Sequence, residues 1–279
     1  MAGSLLHITL ANLVLEEASI PASVKDEITA SIHDYRLGAV LADLPFFENV
    51  LGNGFRLLLR RELRLNEWGH RLHERSPTGL CRELFKGAET PTDRALALGA
   101  LTHLAIDTLF HQDIERRVTE MADGTPGTNT LHKHVEDQMD FHVHCRLIRH
   151  PGVGRPYARD MFDLKPSCEW SARFSEAVVA VHGTTPSPER LSRWLRGMIL
   201  FGRLQVSSRF PWVETRYGDN PELRKVALAL AEQSIELSKQ YLEIGWADLA
   251  GDHGGEMVLA EIPEKNLVNG GDALPTLRK

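Results

Sequence analysis

The chain has 279 residues, 42% hydrophobic and 25% charged, which suits a globular protein with a substantial core. Its net charge of −6 offers no global attraction to nucleic acid or anionic lipid, and a basic run at 56–64, RLLLRRELR, reads as a solvated helix face. Cys81, Cys145 and Cys168 are too few and too scattered for a disulfide framework or a Cys-rich zinc site, so reduced thiols are expected.

No stretch approaches the ~20 apolar residues of a membrane-spanning helix. The opening MAGSLLHITLANLVLEE has no basic leader and no small-residue cleavage site, so a cytoplasmic location is expected. Helical periodicity dominates and no period-two strand stands out. The expectation is an all-α single domain of about eight to ten helices with a metal cleft between them. That domain is expected over residues 1–251, followed by an irregular C-terminal tail at 252–279.

In chain order, a first helix is expected over about 5–18, ending before the SIPAS turn and carrying His7 in an apolar segment. Ser23 is the expected cap of a second, VKDEITASIHDYRL, which has early acids and an i, i+4 apolar stripe. The segment GAVLADLPFF, 38–47, is short and interrupted by proline, and it places Asp43 just before a turn. Helical patterns resume over 52–75, with His70 and His73 in WGHRLHERSP, and over 79–86. Pro91, Thr92 and Asp93 start a helix over 91–117, and the loop ADGTPGTNT separates it from another over 130–149. Further helices are expected over 168–182, 186–206 and 219–250, where Trp170, Trp194 and Trp246 read as core residues.

Two rows of potential metal ligands carry the chemistry. The first is His103, Asp107 and His111 in ALGALTHLAIDTLFHQDI; the second is His132, Glu136 and Asp140 in LHKHVEDQMDFH. Residues four apart share one face of an α-helix. The first row stands on an otherwise apolar helix, where an unpaired carboxylate is expensive to bury. A divalent metal is an economical partner for imidazoles mixed with carboxylates. Asp43 sits in an apolar segment under the same penalty, and His70 or His73 offers a further imidazole. His134 and His142 fall off the second row. Asp113 and Asp140 are candidates to fix histidine tautomers, and Arg116 and Arg117 read as a solvated helix end.

The ordered set His7, Asp43, G-x-x-x-H at 69–73, H-x-x-x-D-x-x-x-H at 103–111 and H-x-x-x-E at 132–136 resembles the zinc-dependent phospholipase C family. That family is related to the zinc-dependent single-strand nucleases. The likeness covers about residues 5–145, through LLHITL, GAVLAD, GALTHLAIDTLFHQ and LHKHVEDQMD. Ala42 and Gln112 stand where the family motifs carry proline, and the processed N-terminal Trp of secreted members is missing. The resemblance implies an all-α fold with two to three zinc ions. Asp43, His73, His103 and Asp107 would hold one, Asp107 would bridge to a second held partly by His7, and His111, His132 and Glu136 would hold the remaining one. Asp43 would also orient or deprotonate the attacking water. The implied substrate is a small-molecule phosphoester or a phospholipid headgroup, with no nucleic acid favoured and no transmembrane segment. Two other readings stand beside this one: a metal-stabilised helical binding module, and an HD-type phosphohydrolase built on His33-Asp34.

Overall fold

The computed structural model describes residues 4–17, 19–59, 66–122, 129–148, 163–205, 220–250 and 262. Its helices are α1 (Ser4–Glu16), α2 (Ala22–Ala30), α3 (Ile32–Gly38), α4 (Val50–Leu58), α5 (Glu67–Glu74) and α6 (Pro77–Lys86). They continue with α7 (Pro91–Met121), α8 (Asn129–Ile148), α9 (Trp170–His182), α10 (Pro188–Gln205) and α11 (Pro221–Ala250), and a 3₁₀ turn spans Leu44–Phe47. The fold is all-α, with no strand among the described residues. The eleven helices among the described residues exceed the expected eight to ten because two anticipated elements divide. The VKDEITASIHDYRL pattern breaks at Ser31, whose backbone leaves the helical region (φ −131°, ψ 43°), and the 52–75 pattern forms α4 and α5. The side chain of Cys145 and the expected C-terminal tail, apart from Ile262, fall outside what the structure describes, whereas Cys81 and Cys168 form no disulfide.

The architecture is organised on α7. Its start is fixed by a reciprocal cap: Asp93 N–H donates to Thr90 Oγ1 at 3.2 Å, and Thr90 N–H donates to Asp93 Oδ2 at 3.1 Å. Every residue from Ala95 to Asp107 is buried, because α1, α2, α3, α6, α8 and α11 pack around this helix. Its sides serve two apolar clusters. Leu96, Leu101 and Leu104 join the larger one, with Leu37, Leu41, Leu72 and Trp194. Ile106, Phe110, Ile114 and Val118 join a smaller one with Leu6, Leu10, Val135, Met139 and Val143. Trp170 and Trp194 are core residues, as expected, and Trp246 is half-buried against the same core.

Helix α3 crosses α7 at two glycines. A Cβ on Gly38 would stand 2.2 Å from the Leu96 carbonyl oxygen, and one on Gly99 would stand 2.1 Å from the Tyr35 carbonyl oxygen. Both obstacles are backbone, so no rotamer change relieves them. Next to this crossing, the buried Tyr35 hydroxyl lies 3.0 Å from Thr102 Oγ1 and donates to the Ala11 carbonyl at 3.3 Å, tying α3 to both α7 and α1. The crossing delivers the chain after α3, with Asp43, onto the face of α7 that carries His103.

Gly99→Ala tests this constraint. Its helix-propensity gain of about 1 kcal/mol is outweighed by the backbone overlap. We expect a net loss of about 1–3 kcal/mol in denaturant unfolding.

Candidate metal centre

The eight residues expected as ligands converge on one buried cluster. Its centre is Asp107, whose side chain is 1% exposed. Asp107 Oδ1 lies 2.9 Å from His7 Nε2 and 3.5 Å from His111 Nε2, and Oδ2 lies 3.1 Å from His103 Nε2 and 3.4 Å from His73 Nε2. Asp43, fully buried at the N-terminal edge of the 3₁₀ turn, adds Oδ1 at 3.2 Å from His73 Nε2 and Oδ2 at 3.7 Å from His7 Nε2. Rings of His7 and His103 stack with centroids 4.3 Å apart.

The donor atoms fall into three groups, each gathered within 4.8 Å: His7 with His103 and Asp107; Asp43 with His73 and His103; His111 with His132 and Glu136. Two of the histidines, His103 and His73, are turned inward by fixed acceptors on their other nitrogen. His103 Nδ1 lies 3.0 Å from the Ala39 carbonyl oxygen, and His73 Nδ1 lies 2.7 Å from the Gly69 carbonyl oxygen. Backbone acceptors of this kind hold the Nε2 edge toward a metal. Gly69 has a second role, since a Cβ there would stand 2.1 Å from the Phe46 ring, which packs beside His73 at 5.4 Å between centroids. His70, by contrast, is 41% exposed and pairs with Glu74 at 3.2 Å, so the G-x-x-x-H histidine is the one in the cluster.

The third group joins α7 to α8. His132 Nε2 meets Glu136 Oε1 at 3.0 Å, and His132 Nδ1 meets Glu115 Oε1 at 2.7 Å. Glu115 is the functional neighbour that sequence reading missed. It extends the row of His103, Asp107 and His111 by one more turn, and that register is the signal that could have found it. Asp113 does not orient a histidine; it pairs with Arg116 and with Arg117. Asp140 lies one turn beyond Glu136 and is 3% exposed, and burial pushes its carboxyl well above the ordinary range. His134 is half-buried, with its Nε2 3.3 Å from Gln138 Nε2, and His142 is buried beside Phe141. The His33-Asp34 doublet lies outside the cluster, and Asp34 Oδ1 accepts the Ser167 N–H at 2.9 Å.

The donors fit a cation. Both nitrogens of His7 and His111, both oxygens of Asp43, Nε2 of His73 and of His103, and Oδ2 of Asp107 are buried and make no aligned hydrogen bond, although several approach one another closely. Among the described residues, none of the close contacts to Asp43 or Asp107 comes from a lysine or arginine. Orphaned buried polar atoms on this scale are costly unless something else binds them.

Ionisation tells the same story. Burial raises the carboxyls of Asp43 and Asp107, but the surrounding imidazoles outweigh it and hold both below their ordinary value. Burial lowers His73, yet Asp107 and Asp43 carry it up to about 10. The same contest lifts His132 to about 9 through Glu136 and Glu115. Burial takes His111 down to about 4, leaving a neutral imidazole. Without metal, protons on His73 and His132 stand in for the missing positive charge. The stability they contribute is fully present below the unfolded-state value of about 6.5 and is lost as pH rises through about 9 to about 10. Zinc competes with those protons. The zinc-induced rise in melting temperature should therefore grow between pH 6.5 and 9, and thermal melts with and without zinc at each pH will measure it.

A family model described as zinc dependent phospholipase C matches residues 6–177, a span that includes all eight clustered residues. No curated protein and no solved structure gives a significant match. With the match extending from α1 to α9 and over more than half of the sequence, the chain belongs to the zinc-dependent phospholipase C family.

Proposed function

We propose that this protein is a multinuclear zinc hydrolase of phosphoester bonds, with His7, Asp43, His73, His103, Asp107, His111, His132 and Glu136 as metal ligands. The family supplies the reaction class. The observation that carries the residue roles is the joining of three donor groups through shared or adjacent side chains, with His103 in two of them and Asp107 in contact with the third through His111. In this reading Asp43, His73 and His103 hold one ion together with Asp107, which also reaches the ion held by His7. His111, His132 and Glu136 hold the remaining ion.

The group of His111, His132 and Glu136 offers three protein donors and would leave a coordination position free, which is the arrangement of catalytic rather than structural zinc. Bound zinc would polarise phosphoryl oxygens, lower the pKa of water toward neutrality and stabilise the leaving oxygen. The chain's own groups do the rest. Asp43, ionised and without an aligned donor, is suited to orient a water and accept its proton. Glu115 and the Ala39 and Gly69 carbonyls hold imidazoles in register. The His111–His132 end of the cluster is nearest to solvent, with side chains 9% and 18% exposed, and is the side from which a phosphate ester approaches. A small-molecule phosphoester or a phospholipid headgroup suits this site. No described helix is long and apolar enough to cross a membrane.

Metal analysis of protein purified without chelators should find about two to three zinc equivalents per chain. His103→Ala and Asp107→Ala should each lose at least one equivalent and all hydrolysis of bis(p-nitrophenyl) phosphate; full activity in either would end the proposal. Asp43→Asn should lower kcat by about 10²–10⁴-fold, a larger loss than any fall in its zinc content explains. His134→Ala, off the cluster, should leave stoichiometry unchanged.

A further inference from the structure

Helix α8 divides its residues by face. Val135, Met139 and Val143 are buried in the smaller apolar cluster. His132, Glu136 and Asp140 form a separate row, each about 40° round from the last and about 6 Å further along the axis. The first two are ligands in the reading above. The third is buried as well and has no assigned role.

Asp140 is a buried carboxylate without a structural task. Neither of its oxygens has a hydrogen-bond partner. Asp34, also buried and outside the donor groups, shows the contrast, since it accepts the Ser167 N–H at 2.9 Å. Lys133 is buried on the same helix and attracts Asp140, but its ammonium donates to Asp137. No ion pair joins Lys133 to Asp140 among the described residues. A carboxylate orphaned at this depth is expensive unless something else binds it.

The like charges around Asp140 point to the metal centre. Glu136, one turn back on α8, and Asp43, from the turn after α3, both act on it, as does Asp137. Two ligands carried by unconnected elements therefore share this carboxylate as a neighbour. Anions gathered in this way are stable only with added positive charge. Asp140 stands outside the group that His111, His132 and Glu136 form within 4.8 Å, so it acts from behind those donors. Outer carboxylates of this kind tune the affinity of the ion in front of them.

We propose that Asp140 is a positioning residue of the metal centre. It adds negative charge behind the ion held by His111, His132 and Glu136, and it offers an acceptor to water at the position those donors leave open. This assignment rests on the multinuclear reading above. Its signature is a burden on the metal-free protein that zinc relieves. A structural partner behaves in the opposite way, because its removal weakens the fold with or without zinc.

The test dialyses the zinc-loaded full chain against buffers of graded free zinc and counts the retained zinc by mass spectrometry. Asp140→Asn keeps the size of the side chain and removes its charge. It should lose one equivalent at a free-zinc level about 10–100-fold above that at which wild type loses it. Metal-stripped Asp140→Asn should melt no lower than metal-stripped wild type. Asp34→Asn, which removes another buried carboxylate, should leave zinc retention unchanged. Undiminished retention in Asp140→Asn, an equal loss in Asp34→Asn, or a lower melting temperature of metal-stripped Asp140→Asn would each overturn the assignment. Failure of Asp140→Asn to fold would do the same, since the residue would then be structural. Wild-type protein that retains no zinc at any setting would instead sink the multinuclear reading, and this assignment with it.

Discussion

Asp107 is a carboxylate with almost no access to water, ringed by His7, His73, His103 and His111 within 3.5 Å and contacted by no lysine or arginine among the described residues. An anion in that position costs several kcal/mol unless positive charge is gathered round it. Neutral imidazoles cannot supply that charge, so the cluster must hold protons or metal. The rest of the site follows from this requirement. Each histidine presents a nitrogen to the same carboxylate, and Asp43 adds a second anion that only a further cation can balance. Such a cluster suits a metal because its alternative is to hold protons, and metal bound there would couple to folding.

Bringing these groups together is a problem of backbone distance before it is one of chemistry. His103 and Asp107 come from α7, Asp43 from the turn after α3, His7 from α1 and His73 from α5. Side chains of ordinary size at the α3–α7 crossing would hold the two helices apart. Gly38 and Gly99 remove that barrier, and the same close approach puts the Ala39 carbonyl within 3.0 Å of His103 Nδ1. Gly69 repeats the device, since lacking a side chain it admits Phe46, and its carbonyl turns His73. The glycines in GAVLAD, GALTH and G-x-x-x-H are therefore part of the site, although none offers it a ligand atom.

The ligand rows were legible in the sequence because helical spacing converts directly into shared direction, and because polar residues on an apolar helix demand a partner. Asp43 was legible for the second reason alone. His73 could be separated from His70 only by motif spacing, since both lie on one short helix and the Phe46 packing that buries one of them is a tertiary fact. Glu115 escaped notice because it sits in the polar stretch DIERR, where a carboxylate looks solvated; α8 supplies the contact that makes it functional. The assignment of Asp113 to histidine orientation failed for a local reason, because arginines three and four residues on claim it first. The break at Ser31 was hidden by an apolar stripe that runs on through it, and packing of α3 on α7 overrides that periodicity.

The exposed face of α4 was hidden by the opposite ambiguity. A run such as VLGNGFRLLL reads as core because leucine and phenylalanine usually are, and the arginines after it read as the solvent side of the same helix. Composition cannot separate a helix whose apolar face meets the core from one whose apolar face points outward, since both show the same apolar stripe. Only the fold decides which way the face points. Here the 3₁₀ turn is pinned inward by Glu48, Arg190 and the Gly197 contact, which leaves Leu51, Phe55 and Leu59 directed outward. The turn that carries Asp43 into the metal cluster thus also fixes the start of α4. Placement of the site and orientation of the exposed face share one anchor, so a change that loosens Glu48 from Arg190 reaches both.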